Sequence, residues 1–310
     1  MEGKILILGG SGFIGTHLLR KCINEGFNCL CVCLKNTNNF TKSKNVNYLK
    51  LDINDYAKVK ELLGGKKFDY IVNLAGYINH INFSEGGRDT FNTHSTGLLN
   101  ILQAVNLKKI KRVVQIGSSD EYGNLESPQN EFMRELPFSP YSLAKLTCTN
   151  ILQMLYRTEK LPVVIIRLFL VYGEGQDFKR FLPQVIKGCL LNEKFPTTQG
   201  QQIRDFCYVD DVVEGIFKAL ISEERVAGEI INIASGNPIK IKTIIEKIVN
   251  IIGSGNPLYG ERKYRQGESM SLYADINKAR KILNWEPKIN IDNGLEKTIK
   301  YYKNFFEVNK

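Results

Sequence analysis

The stretch KILILGGSGFIG, residues 4–15, decides the fold, because it leads from an apolar run through closely spaced glycines into a helix. The run before the glycines has the aliphatic character of a strand that is covered on both faces, and the helical spacing of apolar residues after them continues to Asn24. Strands of this kind that alternate with helices form a parallel sheet with helices on both sides. We therefore predict an α/β fold with a doubly wound parallel sheet of the Rossmann type. The further strands are predicted at 29–34, 46–51, 70–75, 112–117 and 162–173.

The glycines of this stretch have the spacing of a phosphate-binding turn. Gly9 or Gly10 permits the tight turn that leaves the strand, and Gly12 lets the backbone approach a diphosphate closely. Gly15 lets the helix pack against the strand. The unpaired N–H groups at the start of the helix then face the phosphates. A glycine turn between a strand and a helix predicts a site for a dinucleotide.

The regular alternation ends near residue 174, where loops and short helical patterns replace it. The chain closes with an amphipathic segment, IDNGLEKTIKYYKNFF, at 291–306. We predict that residues 1–168 form the dinucleotide-binding domain, to which the chain returns around 204–236. Residues 169–310 then form mainly a second, smaller substrate-binding domain.

The ends of two later strands bear on which dinucleotide binds. The second strand ends in CVCLKNTNN, where Cys33 and Leu34 cannot replace the acidic residue that bonds a ribose 2′-hydroxyl. Lys35 and Asn36 could instead face a 2′-phosphate, so we predict NADP(H), with NAD as the alternative. The third strand is followed by LDIND, in which Asp52 could contact adenine. The competing interpretation is that one of its two aspartates caps the next helix.

The composition fits a folded protein of the cytoplasm. With 310 residues and 43% hydrophobic content, the chain can bury a large core, which excludes disordered and fibrous classes. Its seven cysteines lack the paired spacing of a zinc site, so we expect reduced thiols and no metal centre. Apolar runs are too short for a signal peptide or a membrane span. The net charge of +10 is scattered, so we expect neither nucleic acid nor a membrane as a partner.

Further segments carry a resemblance to a known family. With the glycine turn, their order resembles that of the extended short-chain dehydrogenases/reductases that act on nucleotide sugars, over nearly the whole chain. The closest likeness is to nucleotide-sugar 4-ketoreductases such as the GDP-4-keto-6-deoxymannose reductases. The resemblance implies a nucleotide-sugar substrate and a homodimer that forms through the two long helices beside the active-site strand. The segments are VVQIGSSDEYG (113–123), SPYSLAK (139–145), RLFLVYGEGQ (167–176), RDFCYVDDVV (204–213) and YRQGESMSLYADINKARKILNWEP (264–287).

The segment SPYSLAK contains a tyrosine and a lysine four positions apart, a spacing that by itself indicates ordinary helix surface. Residues so spaced share one face of a helix, so Lys145 should lie near Tyr141. A nearby ammonium lowers the pKa of a phenol, which then exchanges protons closer to neutral pH. The resemblance implies that Tyr141 is the general acid or base and that Lys145 also holds the nicotinamide ribose. It assigns the hydroxyl that bonds the reacting oxygen to Ser118, with Ser119 as the fallback.

The resemblance also assigns contacts to the two ligands. Arg204 and Arg265 match positions that grip the diphosphate of the substrate, a role suited to the forked guanidinium. Surface salt bridging is the alternative role for both arginines, and the neighbouring Asp205 gives it added weight for Arg204. The predicted substrate contacts are Ser119, Asp120, Arg180, Arg204 and Arg265. The predicted cofactor contacts are Gly9, Gly12, Phe13, Ile14, Gly15, Lys35, Asp52, Ile53, Leu74 and Ala75, with Tyr141 and Lys145.

Two positions outside these sets depart from the family pattern. The family usually has Asn three residues ahead of Gly97, where this chain has His94. Either His94 replaces that residue or Asn92 takes its role. Leu170 stands where an Asn is usual, which removes a polar contact to the substrate and favours an unusual sugar.

We predict that NADPH reduces the C4 keto group of a nucleotide-linked 4-keto(-6-deoxy) sugar, while Tyr141 protonates the oxygen and Ser118 orients it. The alternative is an NAD-dependent C4 epimerase of the UDP-glucose 4-epimerase type, which oxidises and re-reduces one centre. A 4,6-dehydratase is disfavoured, because its Thr-Asp-Glu is replaced by Ser118, Ser119 and Asp120 and the first acid is missing. A non-catalytic dinucleotide sensor is disfavoured as well, because Ser118, Tyr141 and Lys145 are intact.

Overall fold

The computed structural model describes residues 3–34, 43–264 and 267–308. Lys35, Asn36 and Arg265, which the sequence singled out, lie outside the described residues. The strands are β1 (Lys4–Leu8), β2 (Asn28–Cys33), β3 (Val46–Lys50), β4 (Tyr70–Asn73), β5 (Arg112–Ser118), β6 (Val163–Leu168), β7 (Leu170–Tyr172), β8 (Lys194–Thr197), β9 (Ile203–Tyr208), β10 (Ile230–Ile233), β11 (Pro238–Lys240), β12 (Asn256–Tyr259) and β13 (Ser271–Leu272). The α-helices are α1 (Phe13–Asn24), α2 (Tyr56–Leu63), α3 (Gly87–Ala104), α4 (Pro140–Glu159), α5 (Phe181–Leu190), α6 (Val209–Ile221), α7 (Ile241–Ile252), α8 (Asn277–Leu283) and α9 (Ile291–Val308).

Within the described residues, seven parallel strands form the main sheet, in the order β10-β6-β5-β4-β1-β2-β3. The order reverses at β1, because β2 and β3 lie on one side of it and β4, β5 and β6 on the other. This arrangement confirms the predicted doubly wound sheet. Ligands of such sheets bind at the carboxyl ends of the strands where the order reverses. The glycine turn after β1 lies at this position.

The strand β1 shows why its apolar run has no polar alternation. Ile5 and Ile7 are fully buried in one core, which they share with α1 and α6. Leu6 and Leu8 are fully buried in a separate core, which they share with α2 and α3. Successive side chains of a strand point to opposite faces, so helices on both sides of the sheet require apolar residues at every position.

A smaller second sheet begins directly after β6. The run 162–173 was predicted as one strand, but it divides at Phe169 into β6 of the main sheet and β7, which pairs with β9. The ring of Phe169 is buried, and its centroid lies 6.4 Å from that of Tyr122. The strand β9 also pairs with β11 and β13, whereas β10 returns to the edge of the main sheet beside β6. The prediction missed this division because strands of both sheets are apolar.

All seven cysteines are buried free thiols. Burial raises the pKa of the Cys31 thiol to about 12, so this thiol stays protonated and unreactive. None of the helices in the described parts of the chain combines the length and the apolar character that a membrane crossing requires.

Candidate active site

The glycine turn packs closely on the backbone of the residues that follow β4. Gly9 has a φ of +76°, and a Cβ at this position would lie 2.9 Å from the backbone nitrogen of Ala75. A Cβ on Gly15 would lie 2.4 Å from the carbonyl oxygen of Gly9. Gly12 caps α1 without a side chain, so the first N–H groups of the helix open onto the space in front of it. This backbone cradle fits the diphosphate of a dinucleotide.

Other predicted cofactor residues lie on both sides of the turn. Phe13 and Ile14 are the first two residues of α1, and both are half-buried. Leu74 and Ala75 follow β4 and are half-buried as well, and the backbone of both would touch a Cβ on Gly9. The structure therefore brings the predicted residues of the first helix and of the fourth strand together.

The segment after β3 separates the roles of its two aspartates. Asp55 caps α2, since its Oδ1 accepts a hydrogen bond from the N–H of Lys58 at 3.1 Å. Asp52 is exposed, and its Oδ1 accepts a bond from the N–H of Asn54 at 2.9 Å. Asp52 is therefore not the helix cap and is left for the predicted adenine contact. Ile53 points its side chain into the core, so a cofactor contact from Ile53 has to come from its backbone.

Tyr141 and Lys145 lie on α4, and the start of this helix fixes where they point. The Oγ of Ser139 accepts a hydrogen bond from the N–H of Ser142 at 3.1 Å, and the Oγ of Ser142 accepts one from the N–H of Ser139 at 2.9 Å. Pro140 occupies the first helical position, where a missing N–H has no consequence. The helix packs on β5, and Tyr141 and Lys145 are only 4% and 5% exposed. Both side chains are thus buried and do not belong to the solvent-exposed face of the helix.

The charges around Tyr141 differ from the sequence prediction. The Nζ of Lys145 lies 5.8 Å from the centroid of the Tyr141 ring and donates to the carbonyl oxygen of Ile116 at 2.8 Å. Burial raises the pKa of Tyr141, and the carboxylate of Asp120 raises it further, while a hydrogen bond with Ser118 lowers it. Burial also lowers the pKa of Lys145. The predicted lowering of the phenol pKa was wrong for this structure, because burial has the largest effect on Tyr141 and the charge of Asp120 acts in the same direction.

Ser118 ends β5 and is held from several sides. Its Oγ accepts a hydrogen bond from the N–H of Asp120 at 3.1 Å, and its N–H donates to Oε1 of Glu121 at 2.8 Å. The Ser118 hydroxyl also lies close enough to the Tyr141 phenol to lower its pKa. Ser119 is buried, whereas the side chain of Asp120 is 25% exposed. Ser118, the first choice of the sequence analysis, is therefore the serine whose hydroxyl acts on the Tyr141 phenol.

Two histidines flank the ring of Tyr141 edge-on. The ring centroids of His94 and His80 lie 5.3 Å and 5.6 Å from that of Tyr141. Burial, and next the charge of Lys145, lower the pKa of His94 to about 3, so this ring is neutral at pH 7. A Cβ on Gly76 would lie 2.0 Å from Cε1 of His94, so His94 requires a glycine there. The sequence singled out His94 because a histidine is unusual three residues ahead of Gly97. It did not single out His80, which lies in an irregular loop.

Charged groups stand on the more open side of the phenol. The Nε2 of His80 lies 3.5 Å from Oδ2 of Asp120. Beside the larger effect of burial, the charge of the half-buried Arg180 lowers the pKa of Tyr141. The charges of the predicted substrate residues Asp120 and Arg180 therefore both act on the phenol, in opposite directions.

Arg204 lies on β9 and is 8% exposed. Its Nη2 donates to Oε1 of Glu268 at 3.0 Å. The carboxylate of Asp205 instead accepts hydrogen bonds from the N–H groups of Ser235 at 2.7 Å and Gly236 at 3.0 Å. Arg204 is therefore in a salt bridge, as the alternative to diphosphate binding expected, but its partner is Glu268. Asp205 is not that partner, because adjacent side chains of a strand point to opposite faces.

Comparison with known proteins finds similarity along nearly the whole chain. UDP-glucuronate 4-epimerase of Thermodesulfobacterium geofontis (strain OPF15) is 28% identical over 327 residues, which cover 99% of this chain and 98% of that protein. The solved structure of UDP-glucuronic acid 4-epimerase from Bacillus cereus, in complex with UDP-glucuronic acid and NAD, matches with a TM-score of 0.88 and 25% identity, over 97% of this chain and 99% of that chain. UDP-glucose 4-epimerase from Thermotoga maritima, solved with UDP-glucose, matches with a TM-score of 0.87 and 25% identity, over 98% of this chain and 99% of that chain.

The family itself follows from a match over most of the chain. The model described as "NAD dependent epimerase/dehydratase family" matches residues 5–234. This range contains the glycine turn, Ser118, Tyr141 and Lys145. The match confirms the resemblance that the motifs indicated: the chain belongs to the NAD-dependent epimerase/dehydratase family.

Proposed function

We propose that the protein is an NAD-dependent epimerase that inverts C4 of a nucleotide-linked hexose. The observation that carries the proposal is the proximity of the Tyr141 and Ser118 hydroxyls at the carboxyl end of β5, with the Nζ of Lys145 near the same ring. The similarity to 4-epimerases that were solved with UDP-sugars supports an epimerase more strongly than a 4-ketoreductase.

NAD is the cofactor that we propose. A similar 4-epimerase was solved with NAD, and the glycine cradle fits the diphosphate that NAD and NADP share. The earlier preference for NADP(H) depended on Lys35 and Asn36, which lie outside the described residues, and no described residue supports it.

Epimerisation assigns a role to each of the three residues. Tyr141, as the phenolate, takes the proton of the O4 hydroxyl when the carbonyl forms at C4, and as the phenol it returns this proton when the centre is reduced again. Ser118 donates a hydrogen bond to O4, which its remaining bonds allow. Lys145 supplies a positive charge beside the phenol. NAD, held at the glycine turn, would supply the positive charge of its nicotinamide and the hydride chemistry at C4.

A 4-ketoreductase remains the second candidate, and one observation favours it. Burial raises the pKa of Tyr141, so the phenol holds its proton at neutral pH, which is the form from which a reductase starts. A reductase needs only this proton donation, whereas an epimerase first needs a base. A 4,6-dehydratase is disfavoured, since Ser119 stands where the dehydratase acid would stand.

We also propose the domain roles and the homodimer that the sequence indicated. Residues 169–310 bind mainly the nucleotide sugar, with Arg204 on the diphosphate. The chain forms a homodimer through α3 and α4, which pack side by side. This proposal is supported by three apolar side chains on these helices, Leu99, Leu143 and Met154, which are 41%, 47% and 43% exposed.

The test uses purified protein without added cofactor. UDP-glucose, UDP-N-acetylglucosamine and UDP-glucuronate are supplied separately, and the C4-inverted sugars are separated by chromatography. Denatured protein is assayed for released NAD. An epimerase forms product and carries NAD. Absence of inversion, together with NADPH consumption in the presence of a nucleotide-linked 4-keto-6-deoxy sugar, would establish the reductase instead.

A further inference from the structure

Glu121 is a fully buried carboxylate directly behind the site. It follows Ser118 by three residues, in the 3₁₀ turn Ser119–Tyr122, and its side chain is 0% exposed. Glutamate is almost never fully buried unless it is paired. Its partner is Arg167 of β6, whose Nε donates to Oε2 at 3.0 Å and whose Nη2 forms an ion pair with the same oxygen at 2.9 Å.

The same carboxylate also binds the end of β5 and the helix that carries Tyr141. Oε1 accepts the N–H of Ser118 at 2.8 Å, and Oε2 accepts Oγ1 of Thr149 at 2.8 Å. Thr149 lies on α4 eight residues after Tyr141 and four after Lys145, and side chains so spaced share one helix face. Glu121 thus connects the strand that presents Ser118 to the helix face that presents Tyr141 and Lys145.

The backbone beside Glu121 leaves the carboxylate room to reach its partners. A Cβ on Gly117 would lie 2.5 Å from Oε1 of Glu121 and 3.2 Å from Cγ of Arg167. Any larger residue at 117 would push the carboxylate or the strand aside. The glycine at 117 therefore leaves the space that the Glu121 carboxylate occupies.

We propose that Glu121 is a positioning residue of the epimerase: by tying the end of β5 to α4, it sets the Ser118 hydroxyl against the Tyr141 phenol. The inference rests on the proposed function and adds to it a residue that touches neither substrate nor cofactor. The carboxylate acts through the backbone N–H of Ser118, and its charge is balanced by Arg167.

Glu121→Gln tests the proposal, with Glu135→Gln as the matched control. Glu135 bonds Nη2 of the same Arg167 at 2.6 Å, so its change also removes a charge from that guanidinium but leaves the bonds to Ser118 and Thr149 in place. For Glu121→Gln we expect kcat to fall by about 30-fold or more, because the loss of a hydrogen bond to a charged group has an effect of this size. KM should change by less than about threefold. The control should keep kcat within about threefold of the wild type.

A double-mutant cycle separates positioning from general loss of structure. Ser118→Ala should lower kcat strongly in the wild type and much less in Glu121→Gln, because the serine is then already misplaced. Additive effects, an unchanged kcat in Glu121→Gln, or an equal loss in Glu135→Gln would overturn the inference. If Glu121→Gln does not fold, Thr149→Val removes only the bond to α4 and should give a smaller loss of kcat in the same cycle.

A crystal structure of Glu121→Gln provides a measurement that is independent of the substrate. We expect Ser118 to shift away from Tyr141 while α4 keeps its place. A Ser118 hydroxyl that stays in place contradicts the inference, even if the wild type inverts no sugar. Absence of wild-type inversion, in contrast, contradicts only the proposed function.

Discussion

The phenol of Tyr141 has to exchange a proton in a place that disfavours its charged form. Burial raises its pKa, and the carboxylate of Asp120 adds to this effect. The bond from Ser118 and the nearby charge of Arg180 work in the opposite direction but are smaller. The chemistry therefore depends on positive charge that binding adds beside the ring.

Tyr141→Phe removes the proton carrier and keeps the ring. We expect turnover to fall by roughly 10²–10⁴-fold, because general acid–base catalysis is lost, while NAD affinity stays nearly unchanged. Steady-state kinetics and NAD titration measure the two effects. Tyr301→Phe, on the exposed side of α9, is the control and should behave like the wild type. Retained turnover in Tyr141→Phe would remove this residue from the mechanism.

His94 makes the protein sensitive to acid. Its pKa falls from 6.5 to about 3, mainly through burial, so the unfolded chain takes up this proton first as the pH drops. Stability is then lost as the pH falls below the unfolded pKa, by about 2–3 kcal/mol between pH 7 and about pH 4.5. His94→Asn should show a smaller loss of unfolding free energy over that interval. Urea denaturation at both pH values measures it, and an equal loss in both proteins would contradict this origin.

At the scale of elements, the turn between β1 and α1 works through backbone alone. A Cβ on Gly15 would meet the carbonyl oxygen of Gly9 at 2.4 Å, so Gly15→Ala has to widen the cradle. We expect NAD affinity to fall roughly tenfold or more, since about 1.4 kcal/mol of lost binding has that effect. Isothermal titration measures it.

Gly253→Ala is the control for this change. Gly253 ends α7 with a φ of +79°, and a Cβ there would have no atom of the described chain within 4 Å. This substitution should cost about 1 kcal/mol of stability through its backbone conformation alone. Its NAD affinity should equal that of the wild type. Equal losses of NAD affinity in both variants would show that Gly15→Ala does not act by widening the glycine turn.

For the whole molecule, the proposed dimer depends on the apolar surface of α3 and α4. Leu143→Glu places a charge in that surface, and we expect a monomer, because charged residues are disfavoured in the core of an interface. Sedimentation equilibrium measures the mass. Leu191→Glu, at the end of α5, changes a residue that is 41% exposed and should leave the dimer intact. A wild type that sediments as a monomer would refute the proposed assembly.

The sequence by itself determined the features that one element carries. The apolar runs predicted the parallel sheet, the spaced glycines predicted the turn, and the spacing of Tyr141 and Lys145 predicted their shared helix face. These patterns can be read locally, because the geometry of a strand or helix fixes which neighbours in sequence share a face.

Only the tertiary structure decided what lies around those features. It divided one apolar run at Phe169 between two sheets, brought His80 and His94 to Tyr141, and placed the carboxylate of Glu121 between β5 and α4. It also reversed the expected shift in the pKa of Tyr141. Burial and charge depend on groups that are far apart in the chain, and no local spacing records which of them folding brings together.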